Sequence, residues 1–579
     1  MEIRRGIGVS SGYAIGEALV FDREEFRINR RPITPKDVDR EIERLDRAVA
    51  AATAGLRAQI EALPKKIRDV AGSILSSQID HLQNKVFHEE ILTEIRKNLS
   101  TADYAASRTI RRKIKLFEDS GNEAFVKRVL PDLIELEKAI LRNLLGEKKD
   151  DSTTIEGKAV IVAHDLSPGQ ALRLDRKKVV GILTEVGGLT SHTAIVAKSL
   201  GIPAVVGVEG VTSDVSGGDM VVLDGTGGTV IINPDEGTLK RYHAMERNFV
   251  LLEKQRALEL HDLPAVTKDG TRIEIFANIE SPEEIPAAID HGAEGIGLYR
   301  TEFLFLENEF NPTEKDHLEA YTRALTLLGK RKIIIRTVDL GADKMPIDGF
   351  PRESNPFLGT RAIRLCFERP DIFKTQLRAI LKSSARGNVC MMIPMISSLT
   401  EIMQVKEALE DVRRELRQEE AHAGDGIEVG IMIEIPSAAV IADLLAPHVD
   451  FFSVGTNDLI AYSVAVDRAN ERVAPLYQPG HPAVLRMLRF VIESGAKAGK
   501  YTSICGEMSS DLNFTLFLLG IGLRNFSVAH PVIPDLKKLI RAVSIDEAKT
   551  VAEKAFSFSD GREVLEYLKA ETRRFLPDA

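Results

Sequence analysis

At 579 residues the chain exceeds what one hydrophobic core organises, and domain-size scaling predicts roughly three or four domains. Hydrophobic residues at 44% and charged residues at 28% give an ordinary globular balance, and a formal net charge of −9 lacks the basic footprint of a nucleic-acid binder. The three cysteines, Cys366, Cys390 and Cys505, supply no disulfide framework and no zinc-type spacing. No apolar run approaches membrane-spanning length, and Met1–Arg5 leads straight into a glycine-punctuated strand pattern, so the expected setting is a reducing cytoplasm without membrane insertion.

The first twenty or so residues, through Val20, read as short strands and turns. A helical block opens at Thr34-Pro35-Lys36-Asp37, where Thr34 can cap, Pro35 suits the first turn and Asp37 favours the positive helix end. Its apolar stripe, Val38, Ile42, Leu45, Val49, Ala52, Leu56, Ile60 and Leu63, advances in helical steps. Further helical patterns cover Ile74–Ile95, Ala102–Phe117 and Leu133–Leu144, with Gly146 as a stop, which predicts a small antiparallel bundle. The basic cluster Arg111-Arg112-Lys113 reads as a solvated helix face. From Ala159 the texture turns β/α, and Pro234 to about Leu263 reads as a charged helical linker between halves. Beyond it, eight apolar β-like runs alternate with helical segments: Ile273–Ile279, Gly295–Tyr299, Lys332–Thr337, Cys390–Ile396, Val429–Ile435, Phe451–Val454, Thr502–Cys505 and Asn525–Val528. That pattern predicts a (β/α)8 TIM barrel.

The phrase running from Gly187-Gly188 through Leu189-Thr190-Ser191-His192-Thr193 to Gly201 looks like a loop entering a helix, capped by Thr190 or Ser191. His192 falls in the first turn, where the positive helix end disfavours imidazolium and would stabilise a phosphoryl group on the ring. Ser167 is a candidate hydroxyl partner for that ring. In the barrel, Arg300, Arg336 and Arg361 stand at or soon after strand ends, where guanidinium forks can match phosphate and carboxylate. Glu434 and Asp458 follow successive strands and can share one Mg2+, or else pair with the nearby arginines. Cys505, at the seventh strand end, is a candidate proton donor.

The histidine phrase, continued by Ile202-Pro203-Ala204-Val205-Val206-Gly207, resembles the phosphohistidine domain shared by enzyme I of the sugar phosphotransferase system, pyruvate phosphate dikinase and phosphoenolpyruvate synthase. With the barrel phrases and the domain order, the resemblance to enzyme I extends over essentially the whole chain. It implies a multidomain α/β protein: residues 1–21 and 147–233 as a swivelling phosphohistidine domain, 22–146 as an inserted helical bundle that binds the carrier, 234–262 as a linker helix, and 263–579 as the phosphoenolpyruvate-binding, dimerising barrel. The implied reaction moves the phosphoryl group of phosphoenolpyruvate to His192 and then to a histidine of an HPr-like phosphocarrier protein, releasing pyruvate. Arg300, Arg336, Asn457, Asp458 and Arg468 would contact phosphoenolpyruvate, with Arg361 nearby. Glu434 and Asp458 would hold Mg2+, Cys505 would protonate the enolate, and the protein would be a homodimer. Leu189 departs from the family, which commonly places arginine there. ATP-using relatives need a further nucleotide-binding domain, and no glycine-rich phosphate loop precedes His192. A non-catalytic carrier-docking regulator would not need Glu434, Asp458 and Cys505.

Overall fold

The computed structural model describes residues 1–21, 33–62, 79, 82, 84–118, 133, 136–145, 158–166, 178–188, 191, 193, 194, 197, 198, 201–215, 217–308, 311–341, 353, 355–424, 426–467 and 473–577. They form two units, Met1–Phe249 and Val250–Ala579.

In the first unit an eight-stranded sheet is built on Tyr13–Phe21 (β3), whose side chains alternate between two faces as the pleat requires. Leu19 joins Ile161 and Ile182 on one face, whereas Ala18 and Val20 join Val160, Val162 and Leu183 on the other. Both faces are covered, which explains the uninterrupted apolar runs of Ala159–Ala163 (β4), Val179–Thr184 (β5) and Ala204–Val206 (β6), parallel to one another and to β3. Glu2–Arg5 (β1), Thr229–Ile232 (β8) and Met220–Asp224 (β7) extend the sheet antiparallel on one side, and Ile7–Ser10 (β2) closes the other, giving the order β1-β8-β7-β3-β4-β5-β6-β2.

The helical block inserts between β3 and β4. Its helix begins at Val38, after Asp37 has accepted bonds from the Thr34 N–H at 3.1 Å and hydroxyl at 2.6 Å, so Thr34 acts as donor to Asp37 rather than as the cap. The expected Ile74–Ile95 helical pattern is interrupted: Ile79 and Leu82 are helical, and a new helix starts at Lys85, because Asn84 Oδ1 accepts from Val86 and Phe87 N–H at 3.0 and 3.2 Å. Leu45, Ile91, Ile95, Ala105, Ile110, Leu136 and Ile140 fill the shared core. Gly146 lies outside the described residues. The reading of Arg111 as solvated is overturned. It is buried, its Nε donates to Glu137 at 3.0 Å and its NH1 to the Thr212 carbonyl at 2.9 Å, which ties the helices to the short helix Val211–Asp214 between β6 and β7.

The stretch read as a linker is one helix, Glu236–His261. In the second unit all eight expected runs are strands, each within a few residues: Glu274–Ile279 (β9), Ile296–Tyr299 (β10), Ile333–Arg336 (β11), Val389–Ile393 (β12), Glu428–Ile433 (β13), Phe451–Val454 (β14), Tyr501–Ile504 (β15) and Asn525–Ala529 (β16). They pair in parallel around a closed barrel in which β16 meets β9. Leu298, Ile334, Met392, Met432 and Phe451 plug its interior, so chemistry is confined to the ends. Among the described residues no helix is long and apolar enough to cross a membrane.

Candidate active site

Parallel pairing aims all eight strands one way, so the residues just past their C-terminal ends converge on one mouth. Arg300 follows β10, Arg336 ends β11, Glu434 follows β13, and Cys505 follows β15. Asn457 and Asp458 lie in the first turn of the helix Thr456–Val464 after β14. Arg361 is brought in by an isolated bridge to Gly341. Two strained residues frame the mouth: Ala362 holds φ at +54° beside Arg361, and Met395 at +59° beyond β12, where its N–H donates to Glu434 Oε1 at 2.6 Å.

Carboxylates and guanidinium groups alternate here in a chain, Glu302–Arg336–Asp339–Arg361–Asp458. Arg336 NH2 donates to Glu302 at 2.8 Å and its NH1 lies 3.1 Å from Asp339. Arg361 grips Asp339 with Nε at 2.8 Å and NH2 at 3.0 Å, and the same NH2 reaches Asp458 at 2.9 Å. Burial opposes the charge on both arginines, but these carboxylates outweigh it and hold their pKa values above the ordinary one. The alternation is what makes four buried charges, with the half-buried Asp458 at the chain's end, tolerable. Arg300 is more open, with NH1 donating to Glu280 at 2.8 Å.

Glu434 is 1% exposed, and a side chain on Gly455 would come within 2.8 Å of its Oε2, so glycine keeps room for the carboxyl. Burial, then the nearby negative charges of Asp458 and Asp339, push its pKa well above the usual carboxylate range, with Arg361 and Arg336 opposing. Asn457 is tied to Glu507 in both directions: its Nδ2 donates to Glu507 Oε1 at 3.0 Å, and Glu507 N–H donates to its Oδ1 at 2.9 Å. The Cys505 thiol is buried 3.6 Å from the Val454 carbonyl. Burial raises its pKa, and the Ser453 hydroxyl and Arg336 offset only part of that, so it stays protonated at neutral pH.

In the first unit, Gly187 adopts φ +119° where β5 gives way to the histidine loop, a conformation that favours glycine. Ser191 caps the helical residues Thr193 and Ala194, its Oγ accepting from Ala194 N–H at 3.2 Å. His192, Leu189, Ser167 and Arg468 lie outside the described residues.

Three family descriptions match the chain: "PEP-utilising enzyme, N-terminal" over residues 5–128, "PEP-utilising enzyme, mobile domain" over 155–228, and "PEP-utilising enzyme, PEP-binding domain" over 254–545. The phosphoenolpyruvate-protein phosphotransferase of Staphylococcus carnosus is 38% identical, with 98% of this chain and 99% of that protein covered. Those of Geobacillus stearothermophilus and Haemophilus influenzae are 40% and 39% identical, covering 97% and 96% of this chain and 97% of each of theirs. The chain belongs to the phosphoenolpyruvate-protein phosphotransferase family.

Within that family frame, the barrel brings Arg300, Arg336, Arg361, Glu434, Asn457, Asp458 and Cys505 to one mouth. Asp458 pairs with Arg361, as one of its two readings expected, and it also neighbours Glu434. Sequence reasoning missed the acids that hold the arginines, Glu280, Glu302 and Asp339, and the Glu507 partner of Asn457. Position carried a signal for two of them: Glu302 lies two residues after Arg300 and Asp339 three after Arg336, both just past strand ends.

Proposed function

We propose that the chain transfers the phosphoryl group of phosphoenolpyruvate to His192 and from there to a histidine of an HPr-like phosphocarrier protein, releasing pyruvate. The observation that carries this reading is the barrel mouth, where a chain of buried guanidinium groups lies beside a protonated thiol. Arg300, Arg336 and Arg468, with Arg361 nearby, bind the phosphate and carboxylate of the substrate. Asn457, locked by Glu507, presents a fixed amide. His192 attacks phosphorus, the N–P bond forms as the bond to the enol oxygen breaks, and the electron pair leaves as the enolate. Cys505 then gives its proton to the enolate carbon, completing pyruvate. Ser167 supports the ring of His192.

Among the described residues no three His, Cys, Asp or Glu side chains form a ready metal cage. Glu434 and Asp458 do suit Mg2+, which binds through one or two carboxylates plus substrate oxygens and water, and their mutual repulsion is what a cation relieves. Bound there, Mg2+ supplies positive charge against the substrate's phosphoryl and carboxylate oxygens.

The division of labour we propose places His192 in the domain of residues 1–21 and 147–233, carrier docking in 22–146, a linker at 234–262, and substrate binding and homodimerisation in 263–579, all in the cytoplasm. The test is incubation with phosphoenolpyruvate and Mg2+ without ATP, followed by mapping of acid-labile phosphate. Label should appear at His192 and pass to the carrier, and His192→Ala should take up none. Full uptake by that variant would overturn the assignment.

A further inference from the structure

One neutral side chain outside the barrel wall ties together the loops that carry two of the site's arginines. Gln376 lies in the helix Pro370–Ser384, is 0% exposed, and touches none of the reacting groups. Its Oε1 accepts from Val338 N–H at 2.9 Å. A backbone N–H can only donate, so this bond fixes the amide orientation and turns Nε2 toward the Thr301 hydroxyl at 3.0 Å and the Tyr321 hydroxyl at 3.2 Å. Thr301, whose oxygen is thereby occupied as an acceptor, donates its own proton to the Arg336 carbonyl at 3.0 Å. The Tyr321 hydroxyl is in turn hydrogen-bonded with His317 Nδ1 at 3.1 Å, on an imidazole that burial keeps neutral.

The same amide therefore reaches both sides of Thr337, through Val338 N–H and the Arg336 carbonyl, and it reaches Thr301, the residue between Arg300 and Glu302. Thr301, Thr337, Val338 and Tyr321 are all buried, so no water can replace the bonds. Only a carboxamide meets the demand for one acceptor and two donors here without charge. A carboxylate would lack the donors and would add negative charge close to Glu302 and Asp339.

We infer that Gln376 is a positioning residue for phosphoenolpyruvate: it sets the spacing of Arg300 and Arg336 by joining the ends of β10 and β11. This rests on the proposed function and assigns the substrate site a support it did not have. An uncompensated loss of its bonds leaves buried donors unsatisfied, which is enough to shift the loops and weaken substrate binding about tenfold or more.

The experiment measures the KM for phosphoenolpyruvate, and phosphoryl exchange between His192 and phosphorylated carrier, in the full chain. Gln376→Met should raise KM about tenfold and leave carrier exchange unchanged. Leu377→Ala, a fully buried change one residue along the same helix, should lower the melting temperature with KM near the wild-type value. Should Gln376→Met not fold, Thr301→Val, which removes only the hydroxyl link, is expected to raise KM severalfold. A KM within twofold of wild type in the folded Gln376 variant overturns the inference, as does the same rise in Leu377→Ala, or an unchanged KM in Thr301→Val where that variant carries the test. A wild-type chain that takes up no phosphoryl from phosphoenolpyruvate overturns the functional reading and this inference together, so the two failures are told apart.

Discussion

Asp339 is the centre of the alternating charge chain, and Asp339→Asn tests that chain with almost no change of shape. The carboxylate is 2% exposed and makes three charge-assisted contacts, two with Arg361 at 2.8 and 3.0 Å and one with Arg336 at 3.1 Å. Bonds to charged groups contribute about 1.5–3 kcal/mol each, against about 0.5–1.5 for neutral ones. Neutralising the acceptor thus loses about 1 kcal/mol or slightly more per contact, and about 2–4 kcal/mol over a non-additive set of three. Arg361, still charged, then keeps Asp458 as its close ion-pair partner, which draws that carboxylate away from a shared cation. The half-saturating concentrations of phosphoenolpyruvate and of Mg2+ should both rise, tenfold for every ~1.4 kcal/mol of the loss expressed in binding. Pyruvate release at varied substrate and varied Mg2+ gives both values, and urea unfolding followed by hydrogen exchange in the barrel strands gives the stability change. Two half-saturation values within twofold of wild type, in a folded variant, would refute the view that Asp339 organises the site.

Two pH predictions follow from buried groups of opposite sign. Glu434 holds its proton more tightly in the folded chain than its ordinary value of 4.5 allows, so in chelator stability should fall as pH rises above about 5. The loss is at most about 1.4 kcal/mol per pH unit until the folded carboxyl ionises; Glu434→Gln should lack it, and parallel denaturation curves for the two proteins from pH 5 to 8 would contradict this. His317 runs the other way: burial lowers its pKa from 6.5 to about 4, so its contribution is intact above 6.5 and is lost as pH falls toward 4. His317→Leu, although less stable at pH 7, should show a shallower acid slope by up to about 1.4 kcal/mol per unit, and equal slopes in urea titrations would show that the ring is not held neutral.

The barrel was legible because period and composition agree: strands sheathed by helices read as unbroken apolar runs, and glycine or charge marks their ends. Boundaries slipped where geometry rather than hydrophobicity ends a strand, as in Cys390–Ile396, which stops at Ile393 ahead of the positive φ of Met395. Arg111 was misread because a helical stripe shows which face is polar but not what packs on it; its partner Glu137 is 26 residues away and Thr212 is 101. The residues that the sequence placed at strand ends do gather at one mouth of the barrel. Glu302, Asp339 and Gln376 could not be assigned the same way, since their role is to hold another side chain and depends on which loops the barrel makes adjacent.

On the proposed mechanism, place and surrounding charge rather than burial distinguish Cys505 from the other two cysteines as the proton donor. All three are buried, burial raises the pKa of each, and so all are thiols at neutral pH. Protonation alone does not choose among them. What differs is the surroundings that the thiolate would meet after giving up its proton. Cys390 has its pKa pushed up to about 12 by burial; Lys332 favours its thiolate while Glu428, with Oε2 at 3.4 Å, opposes it, and it stands near the N-terminal end of β12, away from the mouth. Cys366, outside the barrel wall, faces the charge of Asp339. Cys505 instead meets Arg336 and Arg300, which favour the thiolate, with Glu434 opposing. A donor fixed at that point delivers its proton to one face of the enolate carbon, whereas water entering an emptied site has no such constraint. With a (Z)-3-fluoro analogue of phosphoenolpyruvate in deuterated water, the wild-type chain should form one enantiomer of deuterated fluoropyruvate. Cys505→Ala should turn over about a hundredfold more slowly or worse and give a mixture, while Cys390→Ala keeps the single enantiomer. Retention of one enantiomer by Cys505→Ala would mean that another group, not this thiol, supplies the proton.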